Sequence, residues 1–189
     1  MIRLATSADV PAVADMLARA FDDDPLAIFS HPRASSRPRR LAYFFALRMR
    51  SLLGEEMCFC DEDRRGAALW APHDAWRASP GEQLRLMRLA NRRLPWLLAG
   101  FTRMEKLHPH EAHYYLMTLG VSPEAQGQGL GSRLMTPMLE RCDREGVPAY
   151  LESSKERNIA FYARHGFRVT EEMRFPRGPK LWLMWRDPR

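Results

Sequence analysis

Val121-Ser122-Pro123-Glu124-Ala125-Gln126-Gly127-Gln128-Gly129-Leu130-Gly131-Ser132-Arg133 is the stretch whose reading decides the fold. It follows an apolar, aromatic-rich run over 113–121 (HYYLMTLGV) that reads as a strand, and a helical pattern continues from it to about residue 145. Glycines at the alternate positions Gly127, Gly129 and Gly131 leave backbone N–H groups uncovered by side chains at the start of that helix. The first N–H groups of a helix lack carbonyl partners, and the helix dipole is positive there. The stretch therefore predicts a cradle for a phosphate or pyrophosphate.

On either side of this loop the pattern alternates short strands and helices. Residues 2–4 read as a strand; Thr6-Ser7-Ala8-Asp9 with Pro11 opens a helix carrying Val10, Val13, Leu17, Ala20 and Phe21 at helical spacing. Asp22-Asp23-Asp24-Pro25 ends it in an acidic loop, and the basic segment 33–40 reads as a solvated loop before a second helix over 39–53, stopped by Gly54. Residues 57–60 and 67–70 read as two strands around a polar turn. Ser79-Pro80-Gly81-Glu82 opens a helical stretch with Leu84, Met87, Leu94 and Leu98 on one face, bent or divided at Pro95. After the glycine loop and its helix, which Pro137 should kink, come a strand at 149–152, a helix at 156–165 closed by Gly166, and strands at 167–171 and 180–186. There is no internal repeat and no linker, so residues 1–189 are expected to form one mixed α/β domain.

Composition narrows the function classes. A chain of 189 residues, 46% of them apolar, is long enough to bury a core. The N-terminal sequence lacks the apolar segment of a secretory signal, and no run is long enough to span a bilayer, which points to the cytoplasm. Cys58, Cys60 and Cys142 suggest neither a disulfide framework nor a zinc site. The net charge of +6 comes from scattered arginines, so no nucleic-acid partner is expected. His108, His110 and His113 lack metal-ligand spacing, and no metal is expected.

Three kinds of glycine loop bind phosphates. A dinucleotide loop needs G-x-G-x-x-G and an acidic residue about 20 positions on; a P-loop needs Gly-Lys-Ser/Thr. This loop has G-x-G-x-G and ends Gly131-Ser132-Arg133, so neither fits. Gln126-x-x-Gly129-x-Gly131 after Leu119-Gly120-Val121 instead resembles the acetyl-CoA pyrophosphate loop of the GCN5-related N-acetyltransferases. Downstream, Asn158-Ile159-Ala160-Phe161-Tyr162-Ala163-Arg164-His165-Gly166-Phe167 resembles the second signature of that family. The C-terminal half, from Gly146-Val147-Pro148 through His165-Gly166-Phe167, is further similar to the branch containing puromycin N-acetyltransferase, whereas residues 33–109 match it weakly. That branch also carries a tyrosine where this chain has Asp24.

The resemblance implies a mostly antiparallel sheet of six to seven strands, flanked by helices and splayed where acetyl-CoA enters. It places the thioester carbonyl against Leu119, Gly120 and Val121 and the pyrophosphate on the amides of Gln126, Gly127, Gln128, Gly129, Leu130, Gly131 and Ser132. Gln126 and Arg133 would add side-chain contacts to phosphate, and Asn158 would bond the pantetheine arm. Tyr162 matches the general acid that protonates the leaving CoA thiolate. Glu152, at the end of the strand between the two motifs, is a candidate proton acceptor or anchor for the amine. The three acids of the 22–24 loop, Asp24 among them, would attract a cationic amine, and His113 would line the acceptor pocket.

Each of these residues also has a structural reading: a core tyrosine, a helix-capping asparagine, a strand-end glutamate, a solvated acidic turn. Cys142 falls on an apolar helix face and reads as core, and no Cys/His/Asp arrangement supports an acyl-enzyme. The expectation is direct acetyl transfer from acetyl-CoA to a primary amine on a small molecule, an antibiotic or a metabolite, by a monomer or homodimer. A protein N-terminus or lysine side chain is the alternative acceptor, and a non-catalytic acyl-CoA-binding module is the alternative class.

Overall fold

The computed structural model of the chain describes residues 1–89 and 91–189. Seven strands form one sheet: β1 (Ile2–Leu4), β2 (Cys58–Asp61), β3 (Gly66–Pro72), β4 (Tyr114–Val121), β5 (Ala149–Ser153), β6 (Arg168–Arg174) and β7 (Lys180–Arg186). Their spatial order is β1-β2-β3-β4-β5-β7-β6. All neighbours pair antiparallel except β4 and β5, which are parallel. The helices are α1 (Val10–Ala20), α2 (Pro25–Ser30), α3 (Arg37–Leu52), α4 (Pro80–Leu86), α5 (Leu94–Leu107), α6 (Leu130–Glu145) and α7 (Ile159–Arg164). This is the mixed, mostly antiparallel α/β architecture expected from the sequence.

Helices cover both faces of the sheet. On one face α1 and α3 bring Leu17, Phe45 and Met49 onto Leu69, Ala71 and Leu183. On the other, α6 and α7 bring Leu134, Met138 and Tyr162 onto Trp70, Leu116 and Met184. The buried residues of α6 (Leu130, Leu134, Met135, Met138, Leu139 and Cys142) recur at the spacing of one helical stripe, which is why the crossover from β4 to β5 packs flat on the sheet.

Two features of β4 shape the site. Leu69 lies opposite Thr118 and Trp70 opposite Leu116, so Met117 is bulged out without a partner. The extra residue reverses the alternation of faces. Tyr115 and Met117 pack on the α1–α3 side, whereas Leu119 and Val121 pack on the α6 side. Gly120 consequently faces α1, where a Cβ would fall 2.4 Å from Leu17 Cδ2. The second feature is that β4 and β5 pair only at Tyr114–Ala149 and Tyr115–Tyr150. Beyond that point the strands separate, and the β4 backbone facing the gap is free to bond something else.

The structure departs from the sequence reading in two places. The 22–40 segment holds an extra helix, α2, and α3 begins at Arg37, which is buried and bonded to Asp22 at 2.8 Å rather than solvated. The stretch after Ser79 is divided, one of the two outcomes expected, but α4 already ends at Leu86, before Pro95 opens α5, and Leu84, Met87 and Leu98 are exposed rather than joined on one helix face. The capping box at its start is present, with Ser79 and Glu82 bonding each other's backbone N–H. The helix after the glycine loop runs through Pro137 without ending.

Asp9 ties the edge of the sheet together. Its buried carboxylate accepts both terminal nitrogens of Arg3 at 2.8 Å, the Thr6 N–H and hydroxyl at 2.9 Å, and Arg64 Nε at 2.7 Å. The Arg3 guanidinium above all holds the carboxyl well below the usual carboxylate range. Its contribution is therefore fully present above the unfolded-state value of ~3.9 and is lost as pH falls below it. Asp9→Asn should lower the unfolding free energy at pH 7 by about 2 kcal/mol, a modest figure because Arg3 and Arg64 keep solvent contact. Urea denaturation at pH 7 and pH 3 checks this, with a smaller difference expected at pH 3.

Candidate active site

Gly127 (φ +76°) and Gly129 (φ +73°) occupy the left-handed region that other residues rarely adopt. Gly131 is needed for space, since a Cβ there would lie 3.3 Å from the Phe161 ring of α7. Gly129 is the N-cap of α6, and Arg133 is the first residue whose N–H finds a helical carbonyl, that of Gly129 at 3.2 Å. The N–H groups of Leu130, Gly131 and Ser132 therefore open the helix without intrahelical partners.

Loop side chains, meanwhile, engage loop carbonyls. Gln126 Nε2 donates to Val121 O at 3.1 Å, Gln128 Nε2 to Glu124 O at 3.2 Å, and Arg133 Nη1 to Gln128 O at 3.0 Å. Gln126 and Arg133 thus brace the loop through one nitrogen each. The row of backbone donors at this end of α6 remains for an anion.

A cleft of about 480 Å³ opens at this helix end, between the last residues of β4, the start of α7 and the end of α1. It is lined by Leu119, Gly120 and Val121, by Gln126, Gly127, Gly129, Leu130, Gly131 and Ser132, and by Asn158, Tyr162 and Asp24. Gln128 lies in a smaller neighbouring cleft with Arg19, Arg64 and Arg65. Tyr162 is 8% exposed; burial, reinforced by the Asp24 carboxylate, pushes its phenol above the ordinary range. It is therefore a neutral O–H at any working pH, able to donate. Asn158 is the N-cap of α7, one turn before Tyr162, as its spacing implied.

The acidic loop is not a free anionic patch. Asp22 pairs with Arg37, and Asp23 pairs with Lys155 and, at 2.9 Å, with Arg157. Asp24 is buried: one oxygen caps α2 by accepting Leu26 N–H at 2.9 Å and Ala27 N–H at 3.0 Å, and the other accepts the Ser154 hydroxyl. The loop is thus stapled to the segment between β5 and α7 along the rim of the cleft. Sequence reasoning passed over Lys155 and Arg157, which also line it; two cations just before Asn158 were the available signal.

Glu152 and His113 are not in that cleft. They lie on the opposite face of the sheet among Trp76, His108, Tyr115 and Tyr150. Glu152 follows Tyr150 on the same face of β5, and the Tyr115–Tyr150 pair is the last rung of the parallel ladder. Its carboxylate accordingly stands at the inner end of the gap, reached from the side opposite the glycine loop. Glu152 Oε1 and the Tyr150 hydroxyl are buried without hydrogen-bond partners among the described residues. Each such vacancy costs about 1–3 kcal/mol, which a substrate's polar groups would offset. Among the described residues no group of three or more His, Cys, Asp or Glu could hold a metal ion, and no helix is long and apolar enough to cross a membrane.

Comparison with known proteins agrees with this geometry. An uncharacterized N-acetyltransferase of Schizosaccharomyces pombe is 35% identical over 91 residues, which are 46% of this chain and 37% of the yeast protein, little more than a third of its length. A crystal structure of "histone acetyltransferase HPA2 and related acetyltransferase" from Corynebacterium glutamicum superposes with a TM-score of 0.72 at 26% identity, over 100% of this chain and 96% of that one. A Drosophila melanogaster polyamine N-acetyltransferase shares the fold, with a TM-score of 0.68 at 17% identity over 99% of both chains. The profile of the Acetyltransferase (GNAT) family matches residues 48–167, from the end of α3 past the glycine loop and Tyr162, and the chain belongs to that family.

Proposed function

We propose that this chain is an acetyl-CoA-dependent N-acetyltransferase acting on a primary amine of a small molecule by direct transfer in a ternary complex. The observation that carries the reading is a single cleft with unpartnered N–H groups of α6 at one end and the buried, neutral Tyr162 hydroxyl lining it. Residues 1–189 act as one domain in this reading, since β1 and β7 belong to the same sheet. The free, buried cysteines suit a reducing compartment such as the cytoplasm.

The chemistry follows from the placement. The pyrophosphate of CoA lies on the amides of Leu130, Gly131 and Ser132, with Lys155 and Arg157 as nearby cations. The pantetheine arm enters the gap between β4 and β5 and bonds the free backbone of Leu119 to Val121 and the Asn158 amide. A backbone N–H of β4 polarises the thioester carbonyl. The amine attacks from the Glu152 side, its lone pair forming the N–C bond as the C–S bond breaks. Glu152 accepts the proton the nitrogen loses, and Tyr162 gives its proton to the departing sulfur. A buried phenol is a weaker acid than a free one, yet a thiolate in the same apolar cleft is a stronger base than in water, so the two shifts offset. Solvent exchange then restores both groups.

The small-molecule acceptor is supported by the polyamine N-acetyltransferase among the fold neighbours, and by the enclosed position of Glu152. The histone acetyltransferase named for the C. glutamicum structure supports the second reading, a lysine or N-terminal amine of a protein. Pairing of Asp22 and Asp23 leaves Asp24 and Glu152 as the carboxylates for a cationic acceptor.

Thiol release measured over a panel of amines, puromycin and a histone-tail peptide included, tests the activity; turnover with the peptide alone would replace the small-molecule reading. Tyr162→Phe should lower kcat by about 10²–10⁴-fold with acetyl-CoA binding nearly unchanged, and undiminished turnover would remove it from the chemistry. Asp24→Asn keeps the helix cap and removes the charge, so it should raise KM for a cationic amine while leaving Tm in place. Asp24→Ala should in addition lose about 1 kcal/mol of stability.

A further inference from the structure

His108 and His113 form a hydrogen-bonded ring pair behind Glu152, and the direction of every proton in it can be worked out. His113 Nδ1 is 2.7 Å from the Glu111 carbonyl oxygen. A carbonyl only accepts, so Nδ1 carries the hydrogen. Burial above all, with the neighbouring His108 and His73 adding to it, holds His113 below the ordinary histidine range, so its ring is neutral and Nε2 is a bare lone pair. His108 Nε2 is 3.1 Å from that lone pair and must donate to it. The other nitrogen of His108, Nδ1, faces Glu152 Oε1 at 3.7 Å, too far for a hydrogen bond, and that oxygen is buried with no partner. His108 Nδ1 and Glu152 Oε1 thus face each other across a gap that a shared proton would close. Trp76 stacks on the His108 ring at 3.9 Å and 22°, a face that favours a cationic imidazole.

We infer that His108 is the positioning residue for Glu152: its Nδ1 takes over the proton that Glu152 removes from the acceptor ammonium, while His113 fixes the tautomer that leaves Nδ1 open. This rests on the transferase reading. An N–H bond of the ammonium breaks as an O–H bond forms on Glu152, and the nitrogen keeps the electron pair. The O–H bond then breaks as N–H forms on His108, leaving a carboxylate beside an imidazolium and a neutral amine ready to attack. The groups that face the pair are Glu152 and Tyr150 of β5, His73 and Trp76 between β3 and α4, Tyr115 of β4 and Trp185 of β7; farther out, Arg48 of α3 acts on Tyr115, Glu82 of α4 bonds Arg48, and Glu171 of β6 acts on Tyr150. Arg48 is bonded to Glu82 at 2.9 Å and does not neutralise Glu152 directly.

The test compares wild type with His108→Gln, whose amide can still donate to His113 but offers no proton acceptor in the place of Nδ1. Thiol release is followed with agmatine, tyramine and benzylamine, and kinetics use whichever turns over fastest. At pH 7 the variant should lose about 10²-fold in kcat/KM for the amine with KM for acetyl-CoA unchanged. The deficit should shrink toward pH 10, where a growing fraction of the amine arrives already neutral (~10.4 for an alkyl amine). A variant equal to wild type, or a deficit independent of pH, overturns the inference. Wild-type protein that transfers neither to these amines nor to a histone-tail peptide overturns the transferase reading itself. Long-range proton–nitrogen NMR of the wild-type histidine rings is the check that needs no variant: His113 should be protonated at Nδ1 and His108 at Nε2, and the reverse assignment overturns the relay.

Discussion

The parallel pairing of β4 and β5 ends at Tyr115 and Tyr150, and the candidate site depends on the gap that follows. A parallel ladder allowed to continue would occupy the β4 backbone and fill the space between the strands. The bulge at Met117 bends β4 where the gap opens and turns Leu119 and Val121 toward α6. Gly120, turned toward α1, lets that helix lie close against the same strand end. The gap is therefore open past the glycine loop, and the buried Glu152 stands on the other face of the sheet. A two-substrate transfer needs donor and acceptor to meet at one such point.

The two sides use different physics. On the proposed donor side the candidate binding groups are backbone donors, in a loop shaped by positive φ at Gly127 and Gly129 and by side chains that engage its carbonyls. Such a cradle costs little to organise when the ligand arrives, because the helix already holds its N–H groups in place. The acceptor side is made of buried side chains: a carboxylate oxygen and a phenol without partners, enclosed by aromatic rings. Between them, the loop of Asp22 to Asp24 is fastened to the β5–α7 segment through Lys155, Arg157 and Ser154, so donor cations and acceptor loop share one set of ion pairs.

The residues that line the glycine-loop cleft were legible as a group in the sequence because their determinants are local, whereas Glu152 and His113 could be named only singly. Glycines at alternate positions, the strand before them and the helix after them lie within a few dozen residues, and Asn158 and Tyr162 are one helical turn apart. The cluster around Glu152 was not legible, because long-range pairing creates it. His108 and Glu152 come within 3.7 Å only through the registration of the segment before β4 with β5. Arg37 looked like part of a solvated basic loop until Asp22 was found beside it. The six residues of α2 are too few to show a period, and apolar Met117 and Leu119 give no sign that the strand changes face between them. Leu84, Met87 and Leu98 do not share a face, because α4 ends at Leu86 and a new helix begins only at Leu94.

Amide hydrogen exchange of the full chain, with and without CoA and read by mass spectrometry, addresses the donor cleft most directly. CoA should slow exchange at residues 119–121 and 129–132, which line the cleft at the end of β4 and the start of α6, and leave β1 and β2 unchanged. Unaltered exchange at both segments under saturating CoA would contradict the assignment of this cleft as the acetyl-donor site.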